Sequence, residues 1–150
     1  MKLNGSVFGI TPTLTTPPYM TLESVSTTQV VAIQEVTMGG ELTSSTAMRT
    51  RVRRDLAVGT GVRSAGSVQR LDQCTTTPGN AAFFSTAYTT TAPTNQAGGL
   101  GVFSWNANGG YIRWLAAPGE EFIISVAASI SSLADLGVGQ SSYSYIWSEF

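Results

Sequence analysis

Residues 100–116, LGVFSWNANGGYIRWLA, contain the strongest turn signal in the chain. Asn108 and Gly109 tolerate positive φ angles, and they lie between two runs of apolar and aromatic residues that favour strands. These runs cover residues 102–105 and 111–114. The stretch therefore predicts a β-hairpin with its turn at Asn108-Gly109, and it indicates a fold built from antiparallel strands.

Short strand candidates separated by turn residues continue through the rest of the chain. Only residues 131–136 predict a helical turn, because Gly137 and Gly139 follow closely and end it. The candidate strands cover residues 29–38, 47–55, 67–72, 81–89, 100–106, 111–116, 121–130 and 143–150. About eight short strands at this spacing predict an all-β protein with one antiparallel β-sandwich domain over residues 29–150.

Residues 1–28 precede the first of these candidates, and threonine, proline and serine dominate them from residue 11 onward. Proline lacks the backbone donor of a central strand and favours extended conformations. Isolated apolar residues within its Thr-, Pro- and Ser-rich part include Tyr19, Met20, Leu22 and Val25. Such residues hold an extended segment on another surface, so we predict an N-terminal arm over residues 1–28. An unstructured leader is the alternative interpretation.

The C-terminal run alternates large aromatic residues with serines. Tyr143, Tyr145 and Trp147 share one face of the predicted strand, and serines share the other. An aromatic stripe of this kind faces either the core of the sandwich or a neighbouring subunit. The strand predicted over residues 121–130 is apolar on both faces, which indicates burial on both sides.

The chain contains no histidine, a single cysteine and nine carboxylates. Proton transfer, nucleophile activation and zinc binding draw mainly on histidine, cysteine clusters and paired carboxylates. Glu120-Glu121 is the only adjacent acidic pair, and neighbours on a strand point to opposite faces. The sequence therefore predicts no catalytic residues, no metal site and no cofactor. Cys74 cannot form a disulfide within the chain, and we interpret it as a small apolar residue.

The formal net charge is −1, and charged residues make up only 11% of the chain. Such a balance gives no strong overall field, so neither nucleic acid nor an anionic membrane surface is a predicted partner. No apolar run approaches the roughly 20 residues of a transmembrane helix. A surface rich in hydroxyl, amide and backbone groups instead suits contact with other proteins.

The run RTRVRR at residues 49–54 holds four of the eight basic residues. On a strand, Arg49, Arg51 and Arg53 project from one face at successive steps of about 7 Å. Planar guanidinium groups at this spacing favour bidentate contacts with carboxylates or phosphates. The alternative is a solvated outer face that protects the sheet from unwanted pairing. A functional arginine face fits an acidic protein surface better than duplex DNA.

Aromatic residues also flank the predicted hairpin. Trp105, Tyr111 and Trp114 lie close to its loop of asparagine and glycine residues, where they are placed to stack on sugar rings. Cross-strand packing of the two tryptophans inside the core is the alternative, because large aromatic pairs contribute strongly to sheet stability.

Two longer motifs and the short aromatic C-terminus resemble those of small virion proteins of tailed bacteriophages that have a jelly-roll-like β-sandwich. The motifs are TSSTAMRTRVRR at residues 43–54 and GYIRWLAAPGEEFII at residues 110–124. The resemblance implies a non-enzymatic head cement or decoration protein, made in the host cytoplasm and bound to the outer surface of the capsid. It also implies a homotrimer that binds the major capsid protein and stabilises the capsid lattice.

The resemblance and the residue patterns together lead to two sets of expected contact residues. The expected capsid-binding residues are Thr11, Leu14, Pro17, Pro18, Tyr19, Met20, Leu22, Val25, Arg49, Arg51 and Arg53. The expected subunit interface contains Tyr143, Tyr145 and Trp147. The alternative function is a tail-fibre module that binds a receptor or carbohydrate, with Trp105, Tyr111 and Trp114 at its ligand site.

Overall fold

The computed structural model describes residues 2–11, 20–24, 27–60, 63–65, 67–71, 82–88, 90–137 and 139–150. Within these ranges the chain forms strands and connecting loops, without a helix. The strands are β1 (Lys2–Ile10), β2 (Met20–Ser24), β3 (Val31–Glu41), β4 (Ala47–Ala57), β5 (Arg63–Ala65), β6 (Ser67–Arg70), β7 (Ala82–Tyr88), β8 (Thr94–Asn95), β9 (Gly101–Asn106), β10 (Asn108–Leu115), β11 (Phe122–Ile124), β12 (Ser129–Leu136) and β13 (Ser141–Glu149). The predicted all-β class is confirmed.

The strands form two antiparallel sheets that pack face to face. Sheet I has the order β10-β3-β13-β1-β6, and β11 continues along the β10 edge of β3. Sheet II has the order β5-β7-β2-β12-β4, and β4 carries β9 and β8 on its other side. Side chains from the inner faces of both sheets form one hydrophobic core. The protein is therefore a β-sandwich, as the strand spacing predicts.

The strand pairing has the nested pattern of a jelly roll. β1 pairs with β13, β2 with β12, β3 with β10 and β11, and β4 with β9. Successive pairs alternate between sheet I and sheet II, which gives the eight-stranded jelly-roll arrangement. The short strands β5 to β8 lie between β4 and β9 in the chain and widen the sheets at their edges. The predicted jelly-roll-like sandwich of about eight strands is thus the central part of the observed fold.

The prediction that the sandwich begins at residue 29 is wrong. β1 lies inside sheet I, where it pairs with β13 on one side and β6 on the other. β2 lies inside sheet II between β12 and β7. The described part of the predicted arm therefore belongs to the domain. The proline-rich segment that begins at residue 11 led to the interpretation of residues 1–28 as one arm, although a strand lies on either side of it. Residues 12–19 lie outside the described ranges.

The predicted hairpin at Asn108-Gly109 is also wrong, because its two strands belong to different sheets. β9 pairs with β4 in sheet II, whereas β10 pairs with β3 in sheet I. The chain crosses between the sheets at the fully buried Ala107, whose carbonyl accepts a hydrogen bond from the Leu42 amide at 2.9 Å. A Cβ atom on Gly40 would lie 2.3 Å from that carbonyl oxygen. This crossing therefore requires glycine at position 40.

Two further differences concern the segment before β13. Residues 131–136, predicted as a helical turn, form most of β12, which pairs with β2 and β4 on its two sides. Pairing on both sides overrides the weak local preference of serine, alanine and aspartate. The strand predicted over residues 121–130 is two strands, because Val126 and Ala127 form a turn in which Ala127 has a φ angle of 53°.

Candidate functional site

The outer face of β4 carries the predicted row of arginines. Thr50 and Val52 of this strand are fully buried on the core side, so Arg49, Arg51 and Arg53 lie on the opposite side of sheet II. Register with β12 and β9 places this row in the middle of the sheet rather than at its edge. The prediction that the three arginines share one face is confirmed.

Two of the arginines are held by a carboxylate on the neighbouring strand. Asp135 of β12 accepts from Arg49 Nε at 2.5 Å through Oδ2, and its Oδ1 lies 2.8 Å from Arg51 Nε. Partial burial favours the neutral acid, but hydrogen bonds from Arg51 and Arg49 and their positive charges outweigh that effect and lower the pKa of Asp135. Asp135 remains ionised at neutral pH. Nε of Arg53 has no hydrogen-bond partner among the described residues.

Asp55 continues the same face two residues beyond Arg53. Its carboxylate accepts hydrogen bonds from the hydroxyls of Ser129 and Ser131, the latter at 2.8 Å, and from the side-chain amide of Asn95 at 2.7 Å. Burial raises the pKa of Asp55, and the three hydrogen bonds reduce that rise. Ser131 lies 3.0 Å from the Thr21 hydroxyl, so the network extends to β2. It forms a buried polar network beside the arginine row.

The sequence interpretation missed both acidic members of this face. The position of Asp55 could have been predicted, because the period-two spacing of Arg49, Arg51 and Arg53 continues directly to residue 55. The position of Asp135 could not be predicted, because residues 131–136 were predicted to form a helical turn. A helical turn gives no reason to place Asp135 beside the arginines. These carboxylates reduce the positive charge of the face, which is therefore mixed in charge rather than a simple anion-binding surface.

Exposed apolar side chains border the arginine row. Val102 of β9 pairs directly with Arg51 and is 56% exposed, and Leu136 of β12 pairs with Arg49 and is 49% exposed. Direct cross-strand partners share a face of the sheet. We call the surface formed by Arg49, Arg51, Val102, Asp135 and Leu136 the arginine face. It combines fixed guanidinium groups with accessible apolar area.

The structure separates the residues that were expected to form one capsid-binding arm. Met20 and Leu22 are fully buried on the core side of β2, so they are core residues and this part of the prediction is wrong. Thr11 is exposed directly after β1. The other expected arm residues lie outside the described ranges, namely Leu14, Pro17, Pro18, Tyr19 and Val25.

The expected subunit interface is also located in the core. Tyr143, Tyr145 and Trp147 are fully buried, because β13 lies between β3 and β1 and its aromatic side faces sheet II. The Tyr143 hydroxyl lies 2.9 Å from the Thr50 hydroxyl across the sandwich, and the Tyr145 hydroxyl bonds to that of Ser132. Of the two alternatives for this stripe, the core is correct and the subunit interface is wrong.

The predicted tryptophan platform does not form on the surface. Trp105 is buried and packs edge-on against Tyr143, with the ring centroids 6.2 Å apart. Trp114 packs against the core and stacks on Phe122, with the centroids 4.1 Å apart and the planes 9° from parallel. Tyr111 points outward and is 66% exposed. Trp105 is therefore a core residue and Trp114 is partly buried against the core, but the two lie in different sheets and are not the cross-strand pair of the alternative interpretation.

Within the described ranges, no group of three or more histidine, cysteine, aspartate or glutamate side chains is placed to hold a metal ion. The same ranges contain no helix with the length and apolar character needed to cross a membrane. Comparison of the chain with protein-family models, curated proteins and solved structures finds no match.

Proposed function

We propose that this protein is a non-enzymatic virion structural protein, a head cement or decoration protein of a tailed bacteriophage. In this proposal it binds the major capsid protein on the outside of the capsid and stabilises the lattice. The supporting observation is the composition of the arginine face, where guanidinium groups lie beside exposed Val102 and Leu136. Protein interfaces are enriched in arginine and depleted in lysine, and their fully buried centres are more apolar than the rest of the surface.

Asp135 prepares the arginine face for a partner. Each guanidinium has five N–H donors, and Asp135 contacts Nε of both Arg49 and Arg51. Among the described residues, the contacts of Asp135 with these arginines use Nε, so the terminal nitrogen atoms can act as donors for carboxylates on a capsid protein. Because Asp135 already restricts the two side chains, less conformational entropy is lost when a partner binds.

The overall composition agrees with contact between proteins. One lysine, Lys2, and seven arginines make up the eight basic residues. Few charges and many hydroxyl groups reduce the desolvation cost of covering a large surface. A jelly-roll sandwich supplies a rigid support, because both sheets share one core. A homotrimer would present three linked copies of the contact, and linked contacts bind more firmly than single ones.

A binding experiment with capsids tests this proposal. Heads assembled from the major capsid protein of the same virus are mixed with the purified protein and sedimented, and the bound protein is measured. The Val102→Asp variant should lose most of its binding, because a carboxylate would be buried in the contact. Val126→Asp is the matched control, since Val126 is 42% exposed in the turn between β11 and β12. Full binding by Val102→Asp would contradict the proposed contact, and no binding by the unaltered protein would contradict the function.

A homotrimer is part of the proposal. Its contacts must differ from the expected set, because Tyr143, Tyr145 and Trp147 are core residues. Sedimentation equilibrium should give three times the chain mass of 15.8 kDa. A monomer at micromolar concentration would remove the trimer from the proposal and leave the capsid contact to be judged by the binding experiment.

The alternative function is a receptor-binding or carbohydrate-binding module of a tail fibre. Tyr111 is the only one of its three expected aromatic residues on the surface. Immunogold labelling of virions separates the two functions. Label over the head faces supports a decoration protein, whereas label confined to the tail tip supports the alternative.

A further inference from the structure

A small groove lies on the outer face of sheet I, on the opposite side of the sandwich from the arginine face. Tyr111, Gly39 and Ser142 are direct neighbours across β10, β3 and β13, and Phe8 of β1 lies beyond Ser142. The missing side chain at Gly39 and the short side chain at Ser142 leave a depression in this row. Its volume is about 200 Å³.

Two exposed aromatic side chains form the walls of this groove. Phe8 is 76% exposed and Tyr111 is 66% exposed. Because both side chains are exposed, each ring presents an apolar surface that the fold does not cover. Three strand steps separate β1 from β10, so the two strands lie about 14 Å apart. A ring-shaped ligand between them would bury part of both surfaces.

The side chains of Ser142 and Ser144 line this largely apolar groove, and their hydroxyl protons are already engaged. Ser142 donates to a carboxylate oxygen of Glu41, and Ser144 donates to the side-chain carbonyl of Asn4 at 2.7 Å. A hydroxyl has one donor and two acceptor lone pairs. Both serine oxygens therefore remain available as acceptors toward the groove. Two acceptors in a largely apolar lining favour a ligand that combines apolar area with a few hydroxyl donors.

The charges near the groove disfavour an anionic ligand. Arg113 lies on the same face of β10 but is engaged by Glu35 through two hydrogen bonds of 2.8 and 2.9 Å. Glu41 places a negative charge beside Ser142, which repels anions. The groove is also smaller than the roughly 300–1,000 Å³ of pockets that enclose drug-sized ligands. Its dimensions suit a single ring.

We propose that this groove binds one neutral sugar ring of a glycan, with Phe8 and Tyr111 against the apolar faces of the sugar and Ser142 and Ser144 as acceptors for its hydroxyl groups. Such pockets combine aromatic surface with a few placed polar groups. The inference does not depend on the capsid contact, because it concerns the other sheet.

Binding to a printed array of neutral oligosaccharides, followed by calorimetric titration with the oligosaccharide that binds most strongly, tests the inference. Phe8→Ala and Tyr111→Ala should each weaken binding at least tenfold. Tyr111→Phe should keep most of the affinity because the ring remains. Leu115→Ala is the matched control, since Leu115 is 63% exposed on the same face of β10 outside the groove. Thermal unfolding of each variant verifies that it is folded.

Two results would overturn the inference. One is the absence of binding to any neutral oligosaccharide on the array, and the other is affinity that survives both Phe8→Ala and Tyr111→Ala. The capsid sedimentation experiment with Tyr111→Ala identifies a different occupant. Lost capsid binding in this variant, without glycan binding by the unaltered protein, would make the groove a protein contact. Failure of the Val102→Asp experiment would leave the sugar groove unaffected.

Discussion

The hydroxyl of Tyr143 lies 2.9 Å from the hydroxyl of Thr50, and this hydrogen bond joins the two sheets through the centre of the sandwich. Both residues are buried. The neighbouring pair of Tyr145 and Ser132 repeats the connection one step further along β13. Burial raises the pKa of Tyr145 far above its ordinary value, so this phenol stays protonated. Polar groups that must meet across a core fix how one sheet lies on the other.

Replacing Tyr143 by phenylalanine should lower the free energy of unfolding by about 1 to 3 kcal/mol, because the hydroxyl of Thr50 would remain buried without this partner. Denaturant-induced unfolding measures the change. Adding Thr50→Val to Tyr143→Phe should recover part of the loss, since both polar groups are then absent. Losses that simply add in the double variant would show that the bond is not the cause.

Local sequence patterns predicted the strands that carry dense apolar alternation. β3, β4, β10 and β13 all lie close to their predicted bounds, because strand-forming residues and flanking turn residues act over a few positions. The same patterns gave no information on pairing partners. The pairing of β1 with β13 joins residues near opposite ends of the chain, and the crossing at Ala107 depends on where both sheets lie.

The candidate site was predictable to the same limited extent. Period-two alternation was sufficient to place Arg49, Arg51 and Arg53 on one face. It could not show that Asp135 holds two of them, because that contact depends on the pairing of β4 with β12. The groove was missed for a similar reason, since Phe8 is 103 positions from Tyr111 and only sheet I brings them to one row.

Gly40→Ala should destabilise the protein strongly, because the added Cβ would lie 2.3 Å from the carbonyl oxygen of Ala107. A clash with buried backbone should lower the free energy of unfolding by about 1 to 3 kcal/mol or more, since overpacking usually costs an amount in that range. Gly98→Ala is the matched control, since nothing lies within 4 Å of its added Cβ. Its stability should be unchanged or slightly raised. Equal unfolding midpoints for the two variants would contradict the tight crossing between sheets.

Asp135→Asn should make the protein less stable at neutral pH, by about 1 kcal/mol at most, because the arginines that contact Asp135 are partly exposed and screened by solvent. The pKa of Asp135 is lower in the folded protein than its ordinary value of 3.8. Its contribution is therefore fully present above pH 3.8 and is lost as the pH falls through the lowered pKa. The difference in unfolding free energy between the two proteins measures this loss.

The difference in unfolding free energy between the two proteins removes the contribution of Asp55, because both proteins contain Asp55. The raised pKa of Asp55 gives the opposite dependence, since its effect lowers stability as the pH rises above 3.8. High salt should reduce the neutral-pH difference, because the pair is accessible to solvent. A difference that grows as the pH is lowered below 3.8 would contradict the lowered pKa of Asp135.

Deletion of residues 1–10 should prevent folding, because β1 is an internal strand of sheet I and not a separable arm. The deletion removes the buried side chains of Leu3 and Val7 and leaves β13 without its partner on the β1 side over seven registered positions. Near-ultraviolet circular dichroism and the cooperativity of unfolding would report the loss. A synthetic peptide of residues 1–11 should restore both signals by adding the missing strand to the open sheet. A truncated chain that still unfolds cooperatively, with an unchanged near-ultraviolet spectrum, would show instead that this segment is an arm on an already complete domain.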